Sequence, residues 1–317
     1  MAKIAAELER AIEERDRSGA PGRATARVLA RGRGWRVQDV VCTSGPGDRV
    51  FEERHSGVSI AIVLAGTFGY RSAAGCQLMT PGSLLLGNAG GSFECRHDHG
   101  EGDLCLSLQY EPDYFERLVD AKPAFRVSRI PAVRPLSRLV ARASAGVVTD
   151  PESFPWEEFS VALAVRAIDL ANDERRTDRE PPPSANERVA RVVRAIERDS
   201  DQPLDLGALA SASRLSPYHF LRTFERVTGV TPHQYLLRAR LRDAALRLAG
   251  PAKILDVALD SGFGDVSNFN RTFRAEFGTS PREYRRSHYA SAPSRQPASG
   301  LRCARSVPGG AGSKVRS

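Results

Sequence analysis

The sequence predicts an α+β protein of two domains: an antiparallel β-barrel followed by helices, and then an all-α domain. The chain has 317 residues, which is more than one typical domain needs. Residues 23–110 alternate short apolar runs with breaks rich in Gly, Pro and Asn, as strands and turns do. Residues 186–289 instead repeat apolar side chains at helical spacing.

The chain is predicted to begin with an amphipathic helical unit over residues 1–22, in which Ile4, Leu8 and Ile12 share one face. This segment is charged throughout, so we expect no signal peptide. No stretch approaches the roughly 18 apolar residues of a membrane span, and no membrane partner is expected. The five cysteines are odd in number and scattered, which is typical of a reduced, cytoplasmic protein.

Residues 23–175 are predicted to form the β-domain and the helices that follow it. The clearest strands are Val58–Leu64, Thr67–Arg71, Ser83–Leu86 and Leu104–Tyr110. Their regular spacing is typical of a sandwich or barrel, whose interior either is filled by its own side chains or holds a small effector. The candidate lining of that interior is apolar: Ile60, Ile62, Leu64, Phe68, Leu84, Leu86 and Leu106.

Two helices are predicted after the strands, over residues 134–146 and 155–175. The second either packs on its own barrel or pairs with a copy of itself in a homodimer. Three consecutive prolines in a charged run then predict a linker over residues 176–185. The basic tail over residues 290–317 is predicted to be disordered.

Positive charge is concentrated in the C-terminal part. Residues 1–185 carry 24 Lys and Arg against 26 Asp and Glu, whereas residues 186–289 carry 17 against 12 and the tail carries 5 against none. This asymmetry is typical of a domain that binds a polyanion. The alternative is an arginine-rich composition that makes every surface basic.

The all-α domain contains a short helix, a tight turn and a second helix, which is a helix-turn-helix. The first helix is predicted over Leu204–Ser213 and the second over Pro217–Thr228, with an N-cap and proline at its start. Exposed residues near the start of the second helix are the expected DNA contacts. The candidates are Ser216, Pro217, Tyr218, His219, Arg222 and Arg226.

The same plan recurs about fifty residues later, which indicates duplication of one unit. A short helix is predicted over Ile254–Ser261, and the next one ends at Phe277 and is capped by Asp265 or Ser267. Its DNA-contact candidates are Val266, Ser267, Asn268, Asn270, Arg271 and Arg274. The residues expected to face the cores of the two units are Phe220, Leu221, Phe224, Phe269, Phe273 and Phe277.

A long arginine-rich helix, Thr231–Ala249, is predicted between the two units. At about 1.5 Å per residue it spans roughly 28 Å, which approaches the about 34 Å of one turn of DNA. We therefore expect the two exposed helices to enter successive major-groove segments of double-stranded DNA.

From Val189 to Arg286 the chain resembles the AraC/XylS family of transcription regulators, most closely in the segment ILDVALDSGFGDVSNFNRTFRAEFGTSPREYRR. The resemblance implies seven helices, two DNA-reading helices and asymmetric promoter sites, with Arg222 and Arg271 as the foremost base contacts. Val266 stands where the family more often has a polar residue. A regulator of this kind is expected at the nucleoid, with RNA polymerase as a further partner and with no enzymatic activity.

The N-terminal half more loosely resembles the cupin-like domain of many such regulators, through Gly75, Pro81-Gly82 and Asn88. This resemblance implies a domain that senses a small effector, dimerises, or does both. No cofactor is assigned to it from the sequence.

One cluster in this half carries groups that bind metals: Cys95, His97, His99 and Cys105. Alternation along a strand places the first three on one face, and thiolate with imidazole suits zinc. Three interpretations stay open: a metal site with His55 as a further ligand, a redox switch of Cys95 and Cys105, or a solvated loop with a structural cysteine.

Two enzymes remain as alternatives to a regulator. A metal-dependent cupin enzyme with an accessory DNA-binding module needs a metal in this cluster with an open coordination position. A DNA-repair methyltransferase is disfavoured, because the N-terminal region lacks a four-cysteine zinc arrangement.

Overall fold

The computed structural model describes residues 2–50, 52–119, 125–148, 151–173, 181–203 and 205–290. The strands are β1 (Ala24–Gly32), β2 (Trp35–Cys42), β3 (Glu53–Arg54), β4 (Val58–Gly66), β5 (Phe68–Ser72), β6 (Gly75–Met79), β7 (Leu84–Gly87), β8 (Ser92–Arg96), β9 (Asp103–Tyr110) and β10 (Arg129–Ile130). The helices that accompany them are α1 (Ala2–Ser18), α2 (Pro112–Val119), a 3-10 turn (Arg134–Leu136), α3 (Ser137–Val148) and α4 (Trp156–Asp173). The C-terminal helices are α5 (Pro183–Arg198), α6 (Leu206–Ala212), α7 (Pro217–Thr228), α8 (Pro232–Leu248), α9 (Ile254–Asp260), α10 (Val266–Phe277) and α11 (Pro281–Ala290).

The strands pair as two antiparallel sheets. The large sheet has the order β1-β2-β9-β4-β7-β10, and the small sheet has the order β3-β8-β5-β6. In the large sheet β9 pairs with β2 from Trp35 opposite Tyr110 to Cys42 opposite Asp103. The predicted fold class is confirmed: an antiparallel β-domain comes first, helices follow it, and the C-terminal part is helical.

The large sheet is buried on both faces at β4, β7 and β9, whereas edge strand β1 is mostly exposed. Ile60 and Ile62 of β4 pack beneath α3 and α4 in the main core, whereas Ala61 and Val63 face the small sheet. Of the seven residues predicted to line the interior, Phe68 belongs to the cluster between the sheets and Leu86 borders a cavity, so the prediction was wrong for the other five, which belong to the main core. Both faces of β4 are apolar, so the sequence pattern does not show which face lies inside.

Helix α4 packs on its own domain. Trp156, Phe159 and Leu163 are buried in the main core. The hydroxyl of Tyr110 on β9 donates to the backbone oxygen of Ser160 at 2.8 Å. Of the two interpretations of this helix, the structure favours packing on its own barrel, and a homodimer stays a prediction.

The C-terminal helices build two small cores that share α8. Phe220 and Phe224 of α7 pack with Val193 of α5 in the first core. Phe269 and Phe273 of α10 fill the second core, together with apolar residues of α8, α9 and α11. Each core buries the inner face of one exposed helix and so fixes its position.

Two local predictions are corrected. Leu221 was expected to face the core but is 36% exposed, because the buried stripe of α7 runs through Phe220 and Phe224 instead. Helix α5 begins at Pro183, inside the predicted linker 176–185, because proline is tolerated where a helix starts. The first half of that linker and nearly all of the basic tail lie outside the described residues.

The C-terminal helices pack directly on the β-domain and on α3. Leu78 of β6 belongs to the first C-terminal core, and Ala141 of α3 belongs to the second. Arg129 of β10 reaches α7, where its Nη1 donates to the backbone oxygen of Val227 at 2.7 Å. None of the helices in the described ranges has the length and apolar character that crossing a bilayer requires.

Candidate nucleic-acid interface

Helix α7 is capped at both ends by residues adjacent to it in the sequence. The hydroxyl of Ser216 accepts from the amide of His219 at the N-terminus, where Pro217 is the first helical residue. Gly229 ends the helix with φ 78°, a conformation that glycine adopts without steric cost. The helix therefore starts at a fixed position, and its first turn faces solvent.

Arg222 is held on the outer face of α7 by the residue one turn before it. Tyr218 is 62% exposed, and its hydroxyl accepts from Arg222 Nη1 at 3.2 Å. The guanidinium carbon also lies 5.8 Å from the centre of the tyrosine ring. This contact orients a cation without removing it from solvent.

Helix α10 repeats the design with different residues. Asp265, and not Ser267, is the N-cap, and its carboxylate accepts from the amide of Asn268 at 2.7 Å. The amide oxygen of Asn268 in turn accepts from Arg271 Nη2 at 3.1 Å. Gly278 ends the helix with φ 72°. Arg271 is thus held on the outer face in the same way as Arg222.

The turn before α10 admits only glycine at its tightest point. Gly262 has φ 80°, and a Cβ atom there would lie 2.6 Å from the backbone oxygen of Asp201. In the first unit the corresponding turn contains Arg214, whose φ of 55° is the one positive value outside glycine in the described chain. Its exposed side chain flanks the start of α7. Arg214 is not among the predicted contacts, because the residue pattern does not reveal the geometry of the turn.

The twelve predicted DNA-contact residues all lie on α7 or α10, or at the N-cap of α7. Val266 and Asn268 are half-buried, Val266 against the second core and Asn268 against its helical neighbours. The others are exposed: Ser216, Pro217, Tyr218, His219, Arg222, Arg226, Ser267, Asn270, Arg271 and Arg274.

The arginines of α8 form ion pairs and hydrogen bonds with other parts of the same chain. Arg238 pairs with Glu276 of α10 at 3.1 Å, and Arg242 pairs with Glu197 of α5. Arg240 donates from Nε to the backbone oxygen of Ser200 at 2.7 Å. These side chains fix α8 to its neighbours, so the arginine-rich helix is a rigid connection between the two units.

The predicted metal cluster does not assemble as expected. His97 Nε2 lies 2.6 Å from Asp103 Oδ2, whereas His99 Nε2 lies 2.9 Å from the hydroxyl of Thr67. His55 lies elsewhere, 2.7 Å from the hydroxyl of Tyr70. Within the described chain, the group that does assemble consists of Cys42, His97 and Asp103. Only His97 of the predicted ligands belongs to it.

The environment of Cys95 and Cys105 does not favour the redox interpretation. Burial raises the pKa of Cys95 and of Cys105 well above the usual value of a thiol. Reactive cysteines instead have a lowered pKa, because the thiolate is the nucleophile. His97 is different: burial lowers its pKa, but hydrogen bonds to Asp103 and Cys42 outweigh this effect and raise it to about 10.

Residues 209–287 match a protein family described as "Helix-turn-helix domain". The chain is 34% identical over 98 residues to regulatory protein SoxS of Salmonella typhimurium, and the match covers 31% of this chain and 92% of SoxS. It is 38% identical over 93 residues to the right origin-binding protein of Escherichia coli K12, covering 29% and 32% of the two chains. The DNA-binding domain of AdpA, solved in complex with a target DNA, is 29% identical with a TM-score of 0.32, covering 33% and 96%.

Two capped helices with buried inner faces and exposed outer faces define a protein with two helix-turn-helix units. The match to SoxS extends over nearly the whole of that regulator. The chain belongs to the AraC family of transcription regulators, and its C-terminal part is the DNA-binding domain of that family.

Proposed function

We propose that the protein binds promoter DNA sequence-specifically, with α7 and α10 in successive major-groove segments. One observation carries this proposal: both helices have twelve residues, start at a side-chain cap and end at a left-handed glycine. Helix α8 joins the two units, and its 17 residues span about 26 Å. Arginines of α8 are paired to α5 and α10, so the spacing is rigid.

The proposed contacts divide into two kinds. Arg222 and Arg271 read bases, since one guanidinium donates to both O6 and N7 of a guanine. Side chains at the helix starts, such as Ser216 and Ser267, and nearby arginines, such as Arg214, hold phosphates and set the register. Both kinds are needed, because phosphate contacts alone give affinity without sequence preference.

The test is binding of the full-length protein to labelled duplexes by fluorescence anisotropy over a salt series. The duplexes are the upstream region of its own gene and other promoters, each against a random duplex of equal length. We expect a preferred duplex whose advantage survives at high salt, where non-specific binding is lost. Equal affinity for every duplex across the salt series would overturn the proposal.

We further propose that the β-domain senses a small polar effector in a cavity of about 200 Å³ between the two sheets. His55, Tyr70 and Ser128 are among the residues that line this cavity. The Ser128 hydroxyl is buried and has no hydrogen-bond partner within the described residues. Such a group favours a ligand that supplies the missing partner.

A short path leads from this cavity to α7. Ser128 lines the cavity, and the next residue, Arg129, donates to the backbone oxygens of Leu78 at 3.2 Å and Val227 at 2.7 Å. A bound molecule that shifts Ser128 therefore acts on the end of a DNA-reading helix. Gly229 also lies against Pro131, because a Cβ atom there would be 2.4 Å from the proline ring.

Thermal-shift screening of small polar metabolites tests the cavity, with Ser128→Val as the variant. A compound that stabilises the wild type and not Ser128→Val supports the site. If stabilising compounds act equally on both proteins, the cavity is not the effector site. The anisotropy measurements test the DNA-binding proposal independently of this result.

A further inference from the structure

Three metal-ligating side chains meet inside the β-domain. Cys42 ends β2 and Asp103 begins β9, directly opposite each other across the strand pair. His97 follows β8 and folds back over them, so that its Nε2 lies 2.6 Å from Asp103 Oδ2. One ligand atom from each of the three residues lies within 4.8 Å of the other two.

The three residues come from separate parts of the chain and are all buried: Cys42 is 8% exposed, His97 is 7% and Asp103 is 4%. A sulfur, an imidazole nitrogen and a carboxylate oxygen are the ligands that zinc prefers, and buried structural sites hold it tetrahedrally. We propose that Cys42, His97 and Asp103 form a binding site for zinc or a similar divalent transition-metal ion.

A second thiol lies close to the cluster, on the next inward-facing position of β9. Cys105 is buried, and its Sγ lies 3.6 Å from Asp103 Oδ1. Cys105 is not one of the three residues whose ligand atoms lie within 4.8 Å of one another, so the site has three protein ligands. The metal-dependent cupin enzyme considered from the sequence needs a coordination position that a substrate can reach, and the burial of all three ligands favours a structural role instead.

The backbone around the site fixes the ligand positions. Gly102, directly before Asp103, has φ 61°, and a Cβ atom there would lie 2.4 Å from the backbone oxygen of Cys42. The loop between His97 and Asp103 is therefore packed tightly on the end of β2. Zinc bonds of about 2.0–2.3 Å require the 2.6 Å contact between His97 and Asp103 to open, because two ligand atoms of one tetrahedral ion lie farther apart than that.

The same loop contacts the C-terminal helices. Glu101 pairs with Arg194 of α5 at 3.2 Å, and Arg194 Nη1 also donates to the hydroxyl of Thr67 at 3.3 Å. His99, in the middle of the loop, lies against Thr67 as well. A metal ion at the base of the loop would stabilise the surface on which α5 rests.

Cobalt titration of the full-length protein, stripped of metal by a chelator and kept reduced, tests the proposal. We expect one Co²⁺ per chain, with the near-ultraviolet charge-transfer band of a cobalt–thiolate bond and the visible bands of tetrahedral cobalt. Zinc should displace it. Cys42→Ser and His97→Gln should each lower the metal affinity by more than about 100-fold, because loss of a ligand costs more than loss of the groups that support it.

Cys76→Ser is the matched control, because Cys76 lies on β6 of the small sheet, outside the cluster. It should keep both the stoichiometry and the charge-transfer band. Circular dichroism identifies any variant that fails to fold, and the wild-type spectrum decides the question without a variant. A wild type that lacks the thiolate band, or a folded Cys42→Ser that retains it, would overturn the proposal and leave a hydrogen-bonded Cys–His–Asp cluster.

Discussion

Arg222 and Arg271 occupy the same position in two different helices: each is the sixth residue of a twelve-residue helix with an N-cap before it. The buried aromatics agree with this alignment, since Phe220 and Phe269 are both fourth residues. Each arginine is also held by a side chain one turn earlier, Tyr218 or Asn268. The two units therefore present one cation each in the same way.

Replacing either arginine by alanine should weaken specific binding by about 1–3 kcal/mol and relax the preference at one group of bases. The physical reason is that each guanidinium loses a bidentate contact with guanine. Fluorescence anisotropy on the preferred duplex measures the loss. Arg166→Ala, an exposed arginine on α4, is the control and should bind like the wild type. Equal affinity of Arg222→Ala and wild type would contradict the role given to that residue.

The two N-caps should contribute separately to stability. Ser216→Ala and Asp265→Ala should each lower the free energy of unfolding by about 1 kcal/mol, because a backbone amide in the first turn loses its acceptor. Urea unfolding followed by circular dichroism measures this change. Ser267→Ala should have a smaller effect, because Ser267 is exposed and Asp265 is the cap. An equal loss in Ser267→Ala would argue against the observed capping.

In the turn before α10, Gly262 and Gly264 should respond very differently to replacement by alanine. Gly262→Ala should destabilise the protein by about 1–3 kcal/mol, because the residue has φ 80° and its Cβ would meet the backbone of Asp201. Gly264→Ala is the matched control, since its Cβ meets nothing within 4 Å. It should be neutral or slightly stabilising. Chemical denaturation of the two variants side by side gives the comparison, and similar losses would contradict the turn geometry.

The half-buried His55 should make the protein less stable in mild acid. Burial lowers the pKa of His55 from 6.5 to about 4 in the folded state. The unfolded chain takes up a proton below pH 6.5 that the folded chain does not, so the free energy of unfolding should fall as the pH decreases from about 6.5 to about 4. Above this window the histidine is neutral in both states and its contribution is constant.

Urea unfolding at pH 7 and pH 5 measures this dependence. His55→Gln should show a smaller loss between the two pH values than the wild type, because the titrating group is gone. His233→Gln, at an exposed position on α8, should lose as much stability as the wild type. A His55→Gln variant with an unchanged pH dependence would contradict the lowered pKa of this half-buried histidine.

Sequence reasoning succeeded where one physical pattern dominates. The bounds of α7 were predicted because a cap, a proline and a helical stripe of aromatics agree with one another. Edge strand β1 was not predicted, because its outward side chains leave no apolar run to identify it. The prediction placed the wrong face of β4 toward the small sheet. Ile60 and Ala61 are both buried, so alternation along the strand does not distinguish its two faces.

The metal-ligand cluster shows a different limit. The sequence predicted a local set around His97, because residues near one another in the chain are the ones a pattern can relate. The structure pairs His97 with Cys42, a partner that becomes visible only when β2 and β9 are aligned. Packing fixes the register between strands that are distant in the chain, and no local spacing in the sequence predicts it.

Hydroxyl-radical and methylation-interference footprinting of the full-length protein on its preferred promoter duplex directly tests the proposed placement of α7 and α10 on DNA. We predict two protected major-groove segments on one face of the DNA, about one helical turn apart. Arg222→Ala should lose the guanine contacts of one segment, and Arg271→Ala should lose those of the other. A single protected segment, or two segments on opposite faces of the duplex, would contradict the arrangement of α7 and α10.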